Sequence, residues 1–337
     1  MAMTRALAKL AGGKAALVLL FLLFAQPLTV VAQPAAKIFR VGLLGTVPLT
    51  NPEASRIWGG FFDGLQQLGY IEGQNIVIES RFSDGISERL PALAAELVQL
   101  RVDVIVAAGH TPSVARSVTS TIPIVMPNHG DPIASGLVVT LARPGGNVTG
   151  LSAQTPELLG KQLQLLQQVL PRMSRVAVLS NPGNPNHARY LRNADDAAQS
   201  LKVRLQILEA RAPSDIVPVF SAATRESAHA LLVLGDPMFT GQIRRIGDLA
   251  IQSRLPAIAN QSEYADAGVL LTYGVDLRES FHRAATYVDR ILKGTRPSDL
   301  PVEQPTKFEL VVNRRVATTL GVAVPPALLV QAQKIID

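Results

Sequence analysis

The stretch VIVAAGHTPSVARSVTSTIPIVMPNHGD, residues 104–131, contains two short apolar runs, each followed by a loop of small and polar residues. The runs Val104–Ala107 and Ile124–Met126 show no alternation of polar and apolar side chains, which is typical of strands buried on both faces of a parallel sheet. The loops after them carry Gly, His, Asn, Ser, Thr and Asp. This pattern predicts an α/β fold.

The same pattern extends in both directions along the chain. Eight more runs of this kind predict strands at Ile38–Leu44, Ile76–Glu79, Val148–Leu151, Val176–Leu179, Leu205–Leu208, Ala230–Leu234, Ala257–Ala259 and Val269–Thr272. Apolar residues at helical spacing lie between most of them, which indicates βαβ units. The single tryptophan, Trp58, lies on such a stripe, and this favours a core position over a ligand-stacking platform.

The ten predicted strands divide into two groups. One sheet of ten strands would be large, and the segment RPGGN, Arg143–Asn147, interrupts the pattern with one proline and two glycines. Residues 175–259 then restart the alternation of strand and helix. We therefore predict two doubly wound parallel-sheet lobes, each shorter than about 150 residues.

The N-terminal segment has the order of a secretory signal peptide. Three basic residues and no acidic residue precede the apolar run Ala15–Ala25, and the small residues Val30 and Ala32 precede Gln33. The alternative is a membrane anchor, but eleven residues rise about 16 Å as a helix, against a hydrocarbon core of roughly 30 Å. A signal peptide over residues 1–32 and a periplasmic product are expected.

Composition excludes several kinds of protein. The chain has no cysteine, which excludes disulfides, thiolate metal sites and cysteine nucleophiles. Loss of the leader would leave 29 basic and 26 acidic residues, an excess too small to indicate nucleic-acid binding. The motifs GxSxG, HExxH and GxxxxGK[ST] are absent, and Gly42–Gly45 lacks the spacing of a dinucleotide fingerprint. The sequence thus favours neither an enzyme nor a cofactor.

Candidate site residues come from the loops after the strands, because ligands of open α/β sheets bind beyond the carboxyl ends of the strands. These loops contribute Thr46, His110, Thr111, Ser113, His129, Asp131, Asn181, Asn184, Asp236 and Gln261. Several of the loops precede a helix, whose free N–H groups suit a carboxylate. N-capping alone is the alternative that each single loop leaves open.

The scarcity of Lys and Arg in these loops favours a carboxylate held by N–H and hydroxyl groups over a multiply charged phosphate. We expect Thr111 and Ser113 to bind that carboxylate. Asp236 has no basic partner nearby in sequence, and we expect it to bind an ammonium group. A small carboxylate-bearing molecule, an amino acid above all, is the expected ligand.

Three of the five histidines, His110, His129 and His187, fall in loops after strands. A three-histidine metal site is geometrically conceivable, but none of the three has a second ligand four residues away. Contact with a ligand in a cleft and a solvated loop position both remain open for these rings, and no metal is expected.

A set of ordered motifs resembles the ABC transporter substrate-binding family of the tryptophan/tyrosine type. The motifs lie at residues 61–76 (FFDGLQQLGYIEGQNI), 90–98 (LPALAAELV), 121–125 (TIPIV), 130–132 (GDP), 141–150 (LARPGGNVTG), 181–186 (NPGNPN), 291–294 (ILKG) and 300–313 (LPVEQPTKFELVVN). The resemblance covers about residues 38–335. It implies a type I periplasmic-binding-protein-like fold, in which two lobes joined by a hinge close on a ligand.

The resemblance also implies domain boundaries, partners and site residues. The first lobe would comprise residues 33–152 and 273–300, and the second lobe residues 153–272 and 301–337. An ABC permease and its ATPase subunits in the inner membrane would be the partners of a monomer. The family's site would fall on Thr46, Thr111–Ser113, Asp131, Asn181, Asn184, Asp236 and Gln261, whereas His110 and His129 depart from the small or apolar residues expected there.

Two alternatives to a transport function remain open from the sequence. An exported sensory module would present the bound molecule to a membrane receptor by the same closure of the lobes. An exported hydrolase or lyase would need an acid–base pair in the cleft, and no spacing in the sequence demands one.

Overall fold

The computed structural model describes residues 37–153 and 155–337, apart from the side chain of Pro156. Residues 38–337 form one compact unit. The predicted signal peptide, residues 1–32, lies outside the described residues. Among the helices of the described part, none has the length and apolar character needed to cross a membrane.

Five parallel strands form the first sheet, in the order β2-β1-β3-β4-β5. They are β1 Phe39–Gly45, β2 Ile76–Phe82, β3 Val104–Ala107, β4 Ile124–His129 and β5 Val148–Ser152. The helices between them are α1 Pro52–Gln67, α2 Leu90–Gln99 and α3 Thr111–Val118. We call the part of the chain built around this sheet the first lobe.

Seven strands form the second sheet, in the order β12-β11-β10-β9-β8-β6-β7. They are β6 Arg175–Ser180, β7 Arg204–Glu209, β8 Ala230–Val233, β9 Ala257–Ala259, β10 Leu271–Gly274, β11 Glu309–Asn313 and β12 Lys334–Ile336. The remaining helices are α4 Thr155–Val169, α5 His187–Ser200, α6 Ile216–Arg225, α7 Pro237–Thr240, α8 Ile243–Gln252, α9 Glu263–Asp266, α10 Leu277–Leu292, α11 Arg314–Leu320 and α12 Pro326–Gln331. We call the part built around this sheet the second lobe.

The apolar runs of the sequence correspond to strands with both faces buried. Along β6, Val176 and Val178 belong to one hydrophobic cluster, while Ala177 and Leu179 belong to the cluster on the opposite face. Because successive side chains of a strand point to opposite faces, a strand covered on both sides must be apolar at every position. The predicted α/β fold with two doubly wound lobes is confirmed.

The two last strands depart from the prediction. The ten predicted strands are all present, but β11 and β12 were not predicted, and β11 runs antiparallel to β10. The second sheet is therefore mixed and not wholly parallel. The physical reason is that β11 reaches the sheet after the chain has packed α10 against the first lobe, so no direct βαβ crossover fixes its direction.

The chain passes between the lobes at three places. It leaves the first sheet after Ser152 and the second sheet after Gly274, and it returns to the second sheet at β11. Before that return, Glu303 pairs with the end of β5: its N–H donates to the Gly150 carbonyl, and its carbonyl accepts from the Ser152 N–H. Three connecting segments of the chain thus link the two lobes. The lobe boundaries given in the sequence analysis remain a prediction.

Helix α10 packs on α1 of the first lobe through a close backbone approach. Its buried face, which includes Phe281, Ala284 and Ala285, shares a cluster with Trp58 and Phe61 of α1. At Gly60 the two helices are so close that an added Cβ would overlap the carbonyl oxygen of Arg278. Only glycine fits there without displacing α10.

Two neighbouring glycines of α1 provide a matched test of this approach. In a helix, Gly→Ala stabilises by about 0.5–1 kcal/mol when the methyl group has space, and a Cβ at Gly59 meets nothing within 4 Å. Gly59→Ala should therefore stabilise the protein slightly. Gly60→Ala should destabilise it by about 1–3 kcal/mol, because the methyl group pushes α10 outward. Urea unfolding measures both, and equal stabilities of the two variants would refute the packing described.

Candidate ligand-binding cleft

The loops at the carboxyl ends of the strands from both lobes face one cleft. Its empty space is about 980 Å³, part of it open to solvent. The first lobe contributes the loops after β1, β3 and β4, and the second lobe contributes the loops after β6, β8 and β9. This is the position at which open α/β sheets bind ligands.

One wall of the cleft is apolar and aromatic. Trp58 on α1 and Phe281 on α10 meet edge to face, with their ring centroids 4.9 Å apart, and Ile57, Leu277 and Leu158 extend this wall. Trp58 is only 4 % exposed, so the expected core position is correct for most of the ring. Trp58 also lines the cleft, a role that the sequence interpretation did not favour. That interpretation looked for aromatic ligand contacts in the loops, whereas Trp58 and Phe281 lie on helices.

Asp236 holds the polar side of the second lobe together. It follows β8, is 3 % exposed and lines the cleft. Its Oδ1 accepts from the Met238 N–H (2.9 Å) and from Asn181 Nδ2 (3.2 Å), and its Oδ2 accepts from Asn184 Nδ2 (2.9 Å). The carboxylate thereby ties the loop after β6 to the loop after β8, with donors from its own lobe.

His187 fixes the same loop from behind. Its Nδ1 accepts from the Asn181 N–H at 2.9 Å, so Nε2 carries the proton and donates to the Gly235 carbonyl at 3.2 Å. Burial lowers the pKa of His187, with the Asp236 charge opposing, and the ring stays neutral. Across the described residues no group of His, Cys, Asp and Glu side chains is arranged to hold a metal ion.

The expected carboxylate partners of the first lobe, Thr111 and Ser113, are not among the residues that line the cleft. The Thr111 hydroxyl lies 3.0 Å from the carbonyl oxygens of both Leu44 and Ala108, and its single proton is committed to them. Ser113, in the first turn of α3, is not among the residues that line the cleft. Thr46 and Asn128 do line it, and the buried Oγ1 of Thr46 has no hydrogen-bond partner.

His129, which is buried, and Asp131, which is partly exposed, meet in a turn at the end of β4. The Asp131 N–H donates to His129 Nδ1 at 3.2 Å, and the Asp131 carboxylate lies 3.8 Å from Nε of Arg189 in the second lobe. Burial, assisted by the Arg189 charge, lowers the pKa of His129 to about 4. The ring is neutral at neutral pH and accepts through Nδ1.

His110 lies between the lobes without a hydrogen-bond partner at either ring nitrogen. It is 5 % exposed. Burial lowers its pKa, while the Asp236 charge acts in the opposite direction. The departure of His110 and His129 from small residues thus introduces two buried imidazoles, neither of which is among the residues that line the cleft.

The structure separates the ten candidate residues into two groups. Four of them line the cleft: Thr46, Asn184, Asp236 and Gln261. The other six are not among the residues that line it: His110, Thr111, Ser113, His129, Asp131 and Asn181. The sequence interpretation missed Asn128, Asn186, Tyr190, Thr240 and Asn260, which also line the cleft. Asn128, Asn186 and Asn260 lie in the same strand-end loops, so the loop criterion could have included them.

The two lobes are in contact across the mouth of the cleft. Asn51, which caps α1, donates through Nδ2 to the Gly241 carbonyl of the second lobe at 3.1 Å. Arg56, one turn further along α1, forms an ion pair with Glu263 on α9. These contacts join the first turns of α1 to the end of α7 and the start of α9, and so connect the two lobes.

Comparison with known proteins identifies the family. A model of the family described as ABC transporter substrate binding protein matches residues 45–336. A curated relative, the tyrosine-binding protein of Clostridioides difficile, is 25% identical over 265 residues, which span 78% of this chain and 76% of the relative.

Two solved structures show the same fold. A conserved domain protein of Vibrio cholerae is 28% identical, with a TM-score of 0.82. An ABC domain of Streptococcus pneumoniae in complex with L-Trp is 23% identical, with a TM-score of 0.81. In both comparisons 89% of this chain and 100% of the other chain are covered. The type I periplasmic-binding-protein-like fold is confirmed.

The neutral, buried His129 predicts a loss of stability in acid. Its folded-state pKa of about 4 lies below the usual 6.5, so the unfolded chain binds more protons between these values. The stabilisation is complete above about pH 6.5 and declines as the pH falls towards 4, by up to about 3 kcal/mol. Urea unfolding at about pH 7.5 and about pH 5 measures this decline.

His129→Asn should reduce that decline, because the amide oxygen can accept from the Asp131 N–H and does not titrate. His229→Asn, a substitution at an exposed histidine, is the control and should keep the decline of the unsubstituted protein. An equal pH dependence of both variants would show that His129 is not the responsible group.

Proposed function

The chain belongs to the ABC transporter substrate-binding protein family, and we propose that it binds an aromatic amino acid between its lobes for delivery to an ABC import permease. Membership of this family makes it a binding protein and not an enzyme. Export to the periplasm by a cleaved signal peptide and action as a monomer with permease and ATPase subunits are parts of the same proposal.

The charge of the cleft is the observation that carries the proposal. Among the described residues that line it, Asp236 is the single acidic residue, and no Lys, Arg or His is present. A dianion or a phosphate would need cationic partners there. A zwitterion brings no net charge, and its carboxylate can be bound by the neutral groups of Thr46 and Asn128 in the first lobe.

The apolar wall supports a large side chain on that zwitterion. The edge-to-face pair of Trp58 and Phe281 offers ring edges and faces to a third aromatic group, an arrangement worth about 0.5–1.5 kcal/mol per pair beyond area burial. Tyr190 lines the cleft from the second lobe. The relative named a tyrosine-binding protein and the structure solved with L-Trp support the same class of ligand.

Closure of the lobes provides the binding mechanism. A ligand between the strand ends contacts Thr46 in one lobe and Gln261 in the other only when the lobes meet, so it shifts the population towards the closed state. The contacts of Asn51 and Arg56 with the second lobe then stabilise this state. A permease can recognise the closed form by the surface that both lobes present together.

Isothermal titration of the mature protein tests the proposed ligand class. L-Tryptophan, L-tyrosine and L-phenylalanine should bind, and each should raise the melting temperature by mass action. L-Glutamate serves as the control, because its extra carboxylate would be buried beside Asp236 without a cationic partner. Binding of sugars or dicarboxylates in the absence of any binding of aromatic amino acids would refute the proposal.

A second test changes a contact between the two lobes. The Tyr190 hydroxyl, which also hydrogen-bonds with Thr155, lies so close to Gly130 of the first lobe that a Cβ there would overlap it. Gly130→Ala should hold the lobes apart and weaken ligand affinity about tenfold to hundredfold, the equivalent of about 1–3 kcal/mol of overpacking.

Gly146→Ala is the matched control for this substitution. Gly146 lies in the same lobe, and a Cβ there meets nothing within 4 Å, so its affinity should equal that of the unsubstituted protein. Unchanged affinity in Gly130→Ala would contradict the role of this contact in closure.

A further inference from the structure

A chain of hydrogen bonds runs from the backbone of Asp236 to the side chain of Gln261. Thr240 Oγ1 lies 3.1 Å from the Asp236 carbonyl oxygen, and Gln261 Nε2 lies 2.9 Å from Thr240 Oγ1. All three residues are buried and line the cleft, and Gln261 is 4 % exposed. The other end of the Gln261 amide, Oε1, has no partner.

This chain fixes which end of the Gln261 amide is free. Thr240 Oγ1 has three neighbours: the Asp236 carbonyl oxygen, Gln261 Nε2 and the Tyr264 hydroxyl. A carbonyl oxygen can only accept, so the single Thr240 proton is assigned to Asp236. Thr240 Oγ1 must then accept, and the group that Gln261 turns towards it must be the donating NH₂. The free end is therefore an oxygen, a pure acceptor held at the carboxyl end of the second sheet.

The Gln261 Oε1 oxygen receives no hydrogen bond from the protein, and the polar groups around it are themselves acceptors. The Asp236 carboxylate already receives hydrogen bonds from Met238, Asn181 and Asn184, all within the second lobe. Asn260, the neighbour of Gln261, also has an unpartnered buried Oδ1. Buried acceptors are costly when unpaired, so this corner of the cleft is complementary to a ligand that brings donors.

We propose that Gln261 determines specificity by accepting a hydrogen bond from the protonated amine of the ligand, and that Thr240 is the positioning residue that keeps its oxygen turned towards that amine. This inference rests on the proposed function and names the group of the amino acid that the second lobe recognises. The Asp236 carboxylate lies nearby and attracts the same positive charge, but its hydrogen bonds organise the loops. The direct ammonium contact expected at Asp236 is thereby assigned to Gln261.

Paired ligands isolate the contribution of the amine. L-Tryptophan and indole-3-propionate differ by the replacement of the ammonium group with hydrogen, as do L-tyrosine and 3-(4-hydroxyphenyl)propionate. With the unsubstituted protein, each amino acid should bind about tenfold to hundredfold more tightly than its partner, because the analogue leaves the Gln261 oxygen unpaired. Isothermal titration gives the ratio of the two affinities.

Variants of Gln261 and Thr240 then test whether these two residues cause the difference in affinity between each amino acid and its analogue. Gln261→Met keeps the length of the side chain and removes the acceptor, so it should weaken binding of the amino acid about tenfold to hundredfold and leave the analogue nearly unchanged. Thr240→Val keeps the shape and removes the hydroxyl, which allows the amide to turn over and should lower the ratio in part. Thr240→Ser, the matched control, keeps the hydroxyl and should keep the ratio.

The outcomes separate this inference from the proposed function. A ratio that survives both Gln261→Met and Thr240→Val, or analogues that bind as tightly as amino acids, would overturn the inference while the ligand class stands. Failure of the unsubstituted protein to bind any of the four compounds would overturn both. Circular dichroism verifies folding, and should Gln261→Met not fold, the comparison of Thr240→Val with Thr240→Ser decides.

Discussion

The buried carboxylate of Asp236 is the constraint on which the arrangement of the second lobe depends. A carboxylate that is 3 % exposed needs donors on both oxygens, and it obtains them from the loops after β6 and β8. Those loops are thereby held at one place, with His187 locked behind them in one neutral tautomer. Through its own carbonyl, the same residue orients Thr240 and, beyond it, Gln261.

The two lobes contribute different chemistry to the cleft. Helices α1 and α10 supply the aromatic wall and the first lobe supplies the unpartnered hydroxyl of Thr46, while the second lobe supplies a carboxylate and amide groups. A zwitterion with a large apolar side chain has complementary groups for each surface. Neither lobe alone encloses such a ligand, which is why the function proposed here requires the closed arrangement in which Asn51 and Arg56 meet the second lobe.

Much of the fold could be predicted from sequence, because strands with two buried faces must be apolar throughout, and loops at their ends must be polar. The strands β11 and β12 were not predicted, because their position in the second sheet depends on how α10 packs against the first lobe. The direction of side chains could not be predicted from the sequence either. Thr111 follows β3 as expected, but its hydroxyl donates to backbone carbonyls. Trp58 and Phe281 line the cleft from helices, and the helical spacing of apolar residues by itself predicts only a position in the hydrophobic core.

The central claim is that an aromatic amino acid closes the two lobes around itself. Small-angle X-ray scattering from the mature protein, with and without saturating L-tryptophan or L-tyrosine, tests it most directly, because hinge closure changes the radius of gyration. The expected result is that the radius of gyration decreases with either aromatic amino acid and does not change with L-glutamate, the control. A radius of gyration that stays the same with both aromatic amino acids at saturation would contradict the claim.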